Sequence, residues 1–293
     1  MEDRISLVTL TGSSGTIGTE LVSLLSAAGA PTRAVVRDAR KARAVPHIAW
    51  LQADLSNPDL LEPALAGTRR LFLLTGNDPG FGGVQRGIVH AAEVLGVGHI
   101  VKASALGASD HSKSWIGREH WEVEQAIQRS GMRWTMLRPH AFMQNWLGDL
   151  AESVKTEDVF YSPIGDGRVP FIDARDIAAV AAEVLLHPEA HAGKKYVLTG
   201  GEAVGYADLA AALTTVTGRA ISYRPISMDE ARARMVASGA STESVDAVLA
   251  IAAYQKEGGP TATVSPTVQR LLGRPPRSIR DFVRDYAERF SVS

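Results

Sequence analysis

The stretch Thr11-Gly12-Ser13-Ser14-Gly15-Thr16-Ile17-Gly18 decides how the first half of this chain is expected to fold. It follows a short apolar run, Ile5 to Leu10, and opens an amphipathic segment, Thr16 to Ala28, so it joins a strand to a helix. Gly12 suits a tight turn, Gly15 suits close approach of backbone to a phosphate, and Gly18 suits close packing of helix on strand. The motif predicts a dinucleotide pyrophosphate at the helix N-terminus, contacted by Gly12, Ser14, Gly15, Thr16, Ile17 and Gly18. The alternative is an ordinary glycine turn.

Strand-like and helix-like segments alternate as far as Pro139. The β-branched runs are Thr32 to Val36, His47 to Gln52, Arg70 to Leu74, His99 to Ala103 and Arg133 to Leu137. The helix-period segments between them are Asn57 to Ala66, Phe81 to Leu95 and Trp115 to Ser130. Such alternation predicts βαβ units with right-handed crossovers, and therefore an α/β, doubly wound, parallel-sheet Rossmann fold.

The alternation breaks after Pro139. The later segments are a turn-rich stretch at Tyr161 to Pro170, a helix from Asp173 through Leu186, a strand at Lys195 to Thr199 and a short run at Ile221 to Arg224. We therefore predict a nucleotide-binding domain over residues 1–153, to which residues 171–199 return. Residues 154–170 and 200–293 are expected to form a smaller, mainly helical lobe on the substrate side.

The composition limits the class of protein and of partner. Of 293 residues, 45% are hydrophobic and 22% are charged, so the chain has enough apolar material for a packed core. Lys and Arg total 31 against 32 Asp and Glu, a balance that favours neither nucleic acid nor an anionic membrane as partner. Cysteine is absent, which excludes disulfides and thiolate sites. With no secretory or membrane-spanning segment in the sequence, we expect a cytoplasmic monomer or homodimer.

The end of the second strand predicts which dinucleotide binds. An acidic residue there would hold a ribose 2′-hydroxyl, whereas this chain reads Val36-Arg37-Asp38. A guanidinium can bind a 2′-phosphate through two parallel hydrogen bonds. Arg37 therefore favours NADPH, and Asp38 leaves NADH as the less favoured cofactor. The alternative is a surface arginine that pairs with Asp38.

Two further strand ends are expected to contact the cofactor. Asp54-Leu55 follows the third strand, where a carboxylate can accept the adenine amino group. The alternative for Asp54 is a carboxylate that caps a turn. Leu74-Thr75-Gly76 follows the fourth strand and is expected beside the ribose.

Several segments together resemble the NmrA-like atypical short-chain dehydrogenases/reductases. They are the glycine motif, Val36-Arg37-Asp38, Val101-Lys102-Ala103-Ser104-Ala105, Ser130-Gly131-Met132-Arg133-Trp134-Thr135-Met136-Leu137-Arg138-Pro139, Phe142-Met143-Gln144-Asn145, Asp173-Ala-Arg-Asp-Ile-Ala and Gly273-Arg-Pro-Pro-Arg-Ser. The resemblance spans nearly the whole chain. It implies an NADPH-dependent reductase of quinones or triphenylmethane dyes, or a redox-sensing regulator without catalysis.

The proton-transfer pair of common short-chain dehydrogenases, Tyr-x-x-x-Lys, is absent. None of the six tyrosines has lysine four residues later. On the helix after the fifth strand, Ile116 stands in the place of the tyrosine and His120 in the place of the lysine. Alcohol–ketone chemistry through a tyrosinate is therefore disfavoured. Hydride addition to a conjugated acceptor needs no such donor at the reacting carbon.

His120 is the candidate catalytic residue. Three roles are open to it: contact with ribose hydroxyls, acid catalysis, or no role beyond that of a surface histidine. Glu124 lies one helical turn later and is expected to orient the imidazole or to raise its pKa. Ser104 is expected to bond the nicotinamide or the substrate, with a strand-end cap as the alternative.

Large side chains follow the strand ends and are expected to line a pocket for a planar acceptor. They are Phe81, Trp115, Phe142, Asn145 and Trp146, each with core packing as the alternative. His187 and His191 have metal-like spacing, but no third ligand accompanies them, so no metal site is predicted.

These residues favour an NADPH-dependent reductase that transfers hydride to a quinone-like or other conjugated small molecule. The nicotinamide is expected against Ala103–Ser104 and the Pro139–Phe142 segment. The alternative is a non-catalytic NAD(P)-sensing regulator that binds a protein partner. A sugar-nucleotide or isoflavone-type reductase is disfavoured because the catalytic Tyr or Lys is missing.

Overall fold

The computed structural model of the protein describes residues 6–291. Within them the strands are β1 (Val8–Leu10), β2 (Thr32–Val36), β3 (Ile48–Gln52), β4 (Arg70–Leu73), β5 (His99–Ala103), β6 (Arg133–Pro139), β7 (Val159–Ser162), β8 (Lys194–Leu198) and β9 (Ser222–Pro225). The α-helices are α1 (Thr16–Ala27), α2 (Leu61–Leu65), α3 (Phe81–Val94), α4 (Trp115–Arg129), α5 (Asp149–Glu157), α6 (Ala174–Leu186), α7 (Pro188–His191), α8 (Tyr206–Thr217), α9 (Met228–Ala237), α10 (Thr242–Glu257), α11 (Thr267–Leu272) and α12 (Ile279–Asp285). Short 3-10 helices cover Ala39–Lys41, Pro58–Leu60, Met143–Leu147, Gly259–Ala262 and Ala287–Arg289. The predicted start of the first strand at Ile5 lies outside the described residues.

The main sheet is parallel, and over residues 6–291 its strand order is β3-β2-β1-β4-β5-β6-β8. The order reverses at β1, where Val8 is in register with Thr32 of β2 on one side and with Arg70 of β4 on the other. Open α/β sheets bind ligands at the carboxyl ends of the strands beside such a reversal. The predicted doubly wound Rossmann fold is confirmed.

The central strand β5 shows why the sequence folds this way. All five of its residues are buried, because helices cover both faces of a parallel sheet. Ile100 packs in one apolar cluster with Val123 and Ile127 of α4. Side chains two residues apart on a strand share a face, so Lys102 lies on the same face as Ile100, toward α4. Lys102 is the only residue of β5 with a side chain that carries a full positive charge, and it is buried like the others.

The chain divides into two compact units. Unit 1 comprises the described residues up to Ser112, together with Ile116–Pro139 and Ala174–Leu198. Unit 2 comprises Lys113–Trp115, His140–Asp173 and the described residues from Thr199 onward. Residues 140–153, expected in the nucleotide-binding domain, belong by compactness to unit 2. The assignment of separate roles to the two parts of the chain stays a prediction.

Unit 2 is mainly helical and contains a small sheet, of which sequence analysis identified one strand, the run at Ile221 to Arg224 that corresponds to β9, and missed the other, β7. Its strands β7 and β9 are parallel, with Val159 in register with Ser222. Sequence analysis predicted a turn-rich stretch from Tyr161 onward and no strand before it. No local pattern marks β7, because it is short and its partner strand lies far along the chain. The core of unit 2 is aromatic, and the rings of Phe160 and Tyr206 lie 5.7 Å apart between centroids.

Each helix in the part of the chain that the structure describes is too short or too polar to cross a membrane.

Candidate active site

The glycine turn follows the carboxyl end of β1 and contacts Leu74, the residue that follows β4, within unit 1. Gly12 has a φ of +65°, and a side-chain carbon built there would lie 2.8 Å from the carbonyl oxygen of Leu74. The Thr11 hydroxyl donates to that same oxygen at 2.7 Å and accepts from the Leu74 amide at 2.8 Å. A carbon added at Gly18 would lie 2.1 Å from the Gly12 carbonyl oxygen, so helix α1 can approach the turn only with glycine there.

The N-terminus of α1 has the features of an anion site. Its cap residue is Gly15, so no side chain caps the helix, and no acidic residue stands in the first turn. Ser14, Gly15 and Thr16 are exposed, whereas Ile17 and Gly18 are buried. A carbon added at Gly15 would meet only the Gly12 carbonyl oxygen, at 3.4 Å. Uncapped N–H groups and the positive end of the helix dipole favour phosphate at this position.

Asp38, which follows Arg37, is paired with Arg40. One Asp38 oxygen accepts from the Arg40 backbone N–H at 3.0 Å, and the other accepts from its Nη2 at 2.9 Å. The Arg40 hydrogen bonds hold the pKa of Asp38 below its usual range. The alternative of an Arg37–Asp38 pair is not what forms, because the described hydrogen bonds and ion pairs of Asp38 go to Arg40. The exposed Arg37 side chain therefore keeps its charge beside an already compensated carboxylate.

Asp54 caps the turn that follows β3. Its Oδ1 accepts from the Ser56 backbone N–H at 3.0 Å and from the Ser56 hydroxyl at 2.8 Å. These two bonds lower the pKa of Asp54, which keeps the carboxylate ionised. Leu55 packs against the apolar cluster of unit 1. The turn-capping alternative is thus observed, and the adenine contact at Asp54 stays a prediction.

Thr75 is held by a residue that sequence analysis missed, Gln85 of α3. The Gln85 Nε2 donates to the Thr75 hydroxyl at 2.7 Å, and that hydroxyl donates to the Gly76 carbonyl oxygen at 3.1 Å. Gln85 is buried, and its Oε1 has no hydrogen-bond partner among the residues described. A buried acceptor next to Thr75 suits a donor group on a ligand at this strand end.

Glu124 is the centre of a buried polar cluster in unit 1. This residue of α4 has an exposed fraction of 0%, and its Oε1 accepts from the Ser104 hydroxyl at 2.6 Å. Arg138 of β6 donates to both carboxylate oxygens, and Lys195 of β8 lies 3.6 Å from Oε2. The cluster connects α4 with β6, with β8 and with the residue that follows β5. The Ser104 hydroxyl thus donates to Glu124, and its contact with a nicotinamide or a substrate stays a prediction.

His120 is paired with Lys102 rather than with Glu124. The Lys102 Nζ lies 3.1 Å from the His120 Nδ1 and also donates to the Ala103 carbonyl oxygen. Phe81 covers the imidazole, with ring centroids 4.8 Å apart. Lys102 is 0% exposed and His120 is 4% exposed. The surface-histidine alternative is therefore excluded.

The expected effect of Glu124 on His120 was wrong. Burial, followed by the positive charges of Lys102 and Arg138, lowers the pKa of His120 well below its ordinary value. Glu124 directs its oxygens to Ser104 and Arg138, and no described hydrogen bond joins it to the imidazole. Burial also lowers the pKa of Lys102, to about 7. The imidazole is consequently neutral near pH 7.

Lys102 and Arg138 are the site residues that sequence analysis did not assign. Both stand in the segments that carry the family resemblance, but neither was given a role. A signal was present in Lys102, since a lysine inside the apolar run His99 to Ala103 must be buried with a partner. The identity of that partner depends on how α4 packs against β5, which no sequence pattern predicts.

The side chains of unit 2 that were predicted to contact the hydride acceptor differ in how deeply they are buried. Trp146 is 3% exposed, and its ring packs edge-on against Phe171 and Phe282 at centroid distances of 4.8 and 5.6 Å. This is the core-packing alternative. Phe142 is half-buried and Asn145 is exposed, on either side of the start of the 3-10 helix Met143–Leu147.

Trp115, the first residue of α4, belongs to unit 2 by compactness, and its indole N–H donates to the Glu243 carbonyl oxygen at 3.2 Å. Ala103 and Pro139 are buried at the carboxyl ends of β5 and β6 in unit 1. The roles of Trp115, Phe142, Asn145, Ala103 and Pro139 toward ligands stay predictions.

The histidines with metal-like spacing are engaged in polar contacts. His187 Nδ1 lies 3.1 Å from the Glu183 carboxylate, and His191 Nδ1 lies 2.9 Å from the Tyr196 hydroxyl. Over residues 6–291, no group of three or more His, Asp or Glu side chains is arranged to hold a metal ion.

Comparisons with known proteins cover nearly the whole chain. A model described as the NmrA-like family matches residues 4–269. An NAD(P)H azoreductase of Xenophilus azovorans is 36% identical over 289 residues, 98% of this chain and 100% of the relative. Quinone oxidoreductase 2 of Escherichia coli is 30% identical over 282 residues, 94% and 97% of the two chains. The crystal structure of an NADPH-dependent quinone oxidoreductase from Escherichia coli, complexed with NADPH, superposes with a TM-score of 0.86 at 28% identity, covering 96% of this chain and 99% of that one.

Proposed function

The chain belongs to the NmrA-like family, and from this premise we propose that it is an NADPH-dependent reductase that transfers hydride to a quinone-like or other conjugated small molecule. The family identity agrees with the resemblance found in the sequence. Two curated relatives that align over nearly the full length of this chain are named as an azoreductase and a quinone oxidoreductase. These names support the reductase class for this chain.

One observation carries the cofactor part of the proposal. The N-terminus of α1 is uncapped and lacks acidic residues, and it follows the glycine turn at the reversal of strand order. The residues present thus fit a dinucleotide pyrophosphate. Arg37 then supports NADPH over NADH, because Arg40 compensates the only neighbouring carboxylate of the Val36-Arg37-Asp38 segment.

The bound NADPH would supply the hydride, and the protein residues would bind, orient and exclude water. Ser14 and Thr16 offer backbone N–H groups to the pyrophosphate, whereas the Gly15 N–H donates to the Gly12 carbonyl oxygen at 3.1 Å and Gly15 instead lets the phosphate approach closely. The buried rings of Phe81 and His120 pack together with centroids 4.8 Å apart and would help to keep water from the reacting atoms. Because His120 is neutral, it serves as a hydrogen-bond partner for ribose or acceptor rather than as a strong acid.

The acceptor chemistry follows from what the chain lacks. No tyrosine of the sequence has lysine four residues later, so the chain offers no Tyr-x-x-x-Lys pair for protonating an alkoxide. A conjugated acceptor spreads the negative charge left by hydride and is then protonated by solvent. This favours quinones, azo compounds and enones over simple ketones.

A steady-state assay of NADPH oxidation across quinones, azo dyes, cationic dyes, enones and simple ketones tests the proposal. We expect turnover with at least one conjugated acceptor and none with simple ketones. Gly15→Val is the control, since it should abolish any turnover that depends on bound cofactor. Tight NADPH binding without turnover of any acceptor would overturn the reductase and leave the alternative, a non-catalytic NAD(P)-sensing regulator.

A further inference from the structure

We propose that Lys102 is a positioning residue, whose ammonium donates to Nδ1 of His120 and so holds the imidazole in the tautomer that carries its proton on Nε2. The pairing is local to unit 1 and is built from β5 and α4. It assigns a role to a buried cation that neither the cofactor site nor the reductase chemistry uses.

The geometry allows only one direction of hydrogen bonding while Lys102 is charged. An ammonium group has three donors and no acceptor. One N–H goes to the Ala103 carbonyl oxygen, and the His120 Nδ1 lies 3.1 Å from the same nitrogen. Nδ1 must then be the bare, accepting nitrogen. A neutral imidazole has one N–H, which is therefore on Nε2.

The surroundings keep both groups in this state below about pH 7. Lys102 is fully buried, and among charged groups Glu124 of α4 acts on it to favour its protonated form. His120 faces two positive charges, Lys102 of β5 and Arg138 of β6, which oppose a second proton on the ring. Lys195 of β8 lies beyond Glu124, near its Oε2. A charged lysine beside a neutral histidine is thus the favoured pair.

The pair has a second state at higher pH. Burial lowers the pKa of Lys102 to about 7, so its proton is lost just above neutrality. When that happens, the lysine proton moves to Nδ1 and the Nε2 proton leaves to solvent, so the pair releases one proton in total. A neutral amine is a weak donor and a good acceptor, whereas an imidazole N–H is the better donor, so the amine accepts from Nδ1–H while still donating to Ala103. Nε2 changes from a donor to an acceptor.

This change matters for the proposed function, on which its use in the reaction rests. With Nε2–H, His120 can donate to a ribose oxygen or to an oxygen or nitrogen of the acceptor that becomes negative as hydride arrives. With bare Nε2, it cannot stabilise that charge. Lys102 therefore sets the pH above which the site loses its donor.

Nitrogen NMR of the protein labelled with ¹⁵N-histidine tests the tautomer directly. We expect the His120 signals, identified by their loss in His120→Gln, to show bare Nδ1 and protonated Nε2 at about pH 6. They should convert to the opposite tautomer with a midpoint near the pKa of Lys102, about 7. His99 is an internal control, since it is buried against Thr135 and its pKa of about 4 lies far below this range.

Two variants separate positioning from mere packing. Lys102→Met keeps the chain length but removes the donor, so the conversion near pH 7 should disappear. Lys102→Arg keeps a permanent charge, so His120 should hold the Nε2–H tautomer over the whole range. If neither variant folds, the titration of the unmodified protein still decides the question.

Protonated Nδ1 at about pH 6, or an unchanged His120 conversion in Lys102→Met, would overturn the proposal. The NMR experiment needs neither cofactor nor turnover, so its failure is distinct from failure of the reductase function. With an active acceptor, the single-turnover rate should fall as the pH rises through the same midpoint and level off near the rate of His120→Ala. A rate that stays flat while the tautomer changes would remove the proposed use of Lys102 in the reaction.

Discussion

Arg138 of β6 holds Glu124 of α4 through two parallel hydrogen bonds, Nε to Oε1 at 2.9 Å and Nη2 to Oε2 at 2.6 Å. The carboxylate is 0% exposed and the arginine side chain is 18% exposed. Since His120 lies one turn earlier on the same helix, this pair fixes the position of the imidazole relative to β5. The ion pair between Arg138 and Glu124 therefore helps to hold helix α4, and with it His120, in place.

Removing the buried carboxylate should destabilise the protein. We expect Glu124→Gln to lower the free energy of unfolding by about 2 kcal/mol, because Arg138 then keeps a partly buried charge without a partner. The expected loss is below that of a fully buried pair, since Arg138 reaches solvent. Urea denaturation measures it. In the double variant with Arg138→Met, the loss of unfolding free energy should be about 1 kcal/mol smaller than the sum of the two single losses. A loss equal to that sum would contradict the pairing.

The cofactor preference should depend on Arg37. Arg37→Asp removes a donor to the 2′-phosphate and adds repulsion, so NADPH should bind about 1.5–3 kcal/mol more weakly, roughly tenfold to a hundredfold. NADH affinity should change little or improve. Titration calorimetry with both cofactors measures the shift. Arg43→Asp carries the same charge change at another exposed arginine and serves as the control. Equal affinities for NADH and NADPH in the unmodified protein would rule out this role of Arg37.

Substitutions at two glycines of the phosphate turn should have different effects, one on cofactor binding and the other on stability. Gly15→Val is expected to fold, because a carbon there meets only the Gly12 oxygen at 3.4 Å, but to lose cofactor binding by filling the phosphate approach. Gly18→Ala is expected to lose about 1–3 kcal/mol of stability, because its new carbon would lie 2.1 Å from backbone. Thermal melts and NADPH titrations separate the two. Unchanged NADPH affinity in folded Gly15→Val would refute the assignment of the turn.

His120→Ala should slow hydride transfer without abolishing it. If the imidazole positions ribose or acceptor, the single-turnover rate at saturating NADPH should fall by less than about a hundredfold. NADPH affinity should fall only modestly. The pKa of His120 is lowered by burial and by its cationic neighbours, so a fall in rate as the pH rises through about 7 is assigned to Lys102 and not to deprotonation of an imidazolium. A fall larger than about a hundredfold would make His120 an acid catalyst.

His140 should make the fold sensitive to acid. Its Nδ1 accepts from the Ala141 amide at 2.7 Å, and its Nε2 bonds the Thr261 carbonyl oxygen at 2.9 Å. Burial lowers the pKa of His140 to about 4. The unfolded chain therefore binds the extra proton first, and stability should be lost as the pH falls from ~6.5 toward 4, by about 3 kcal/mol.

His140→Gln should make this part of the stability curve less steep, measured by denaturation at a series of pH values, while the other buried histidines keep their own contribution. His111→Gln is the matched control, because the His111 side chain is 91% exposed. An equally steep loss of stability below pH 6.5 in His140→Gln would assign the acid sensitivity to other groups.

Much of unit 1 follows from local pattern. Thr32–Val36 and His99–Ala103 form strands with the predicted bounds, because buried parallel strands are marked by continuous β-branched and apolar runs. The glycine turn was equally recognisable from the local motif, since Gly15 and Gly18 contact backbone within the turn, although Gly12 also contacts the distant Leu74. The family resemblance drew on the same motifs. The α/β class, the strand alternation and the candidate phosphate turn were thus determined by sequence alone.

The partners of charged residues were decided only by tertiary structure. Helical spacing placed Glu124 one turn from His120 and suggested a pair, but a carboxylate on α4 also faces β6 and β8. The bidentate geometry of Arg138 is the stronger interaction, and it takes Glu124 away from the imidazole. Lys102 then becomes the partner of His120 because both lie in the packed layer between β5 and α4. Periodicity in a sequence fixes which face of an element a residue occupies. What that face meets depends on strand order and helix packing, which are set by contacts between residues far apart in the chain.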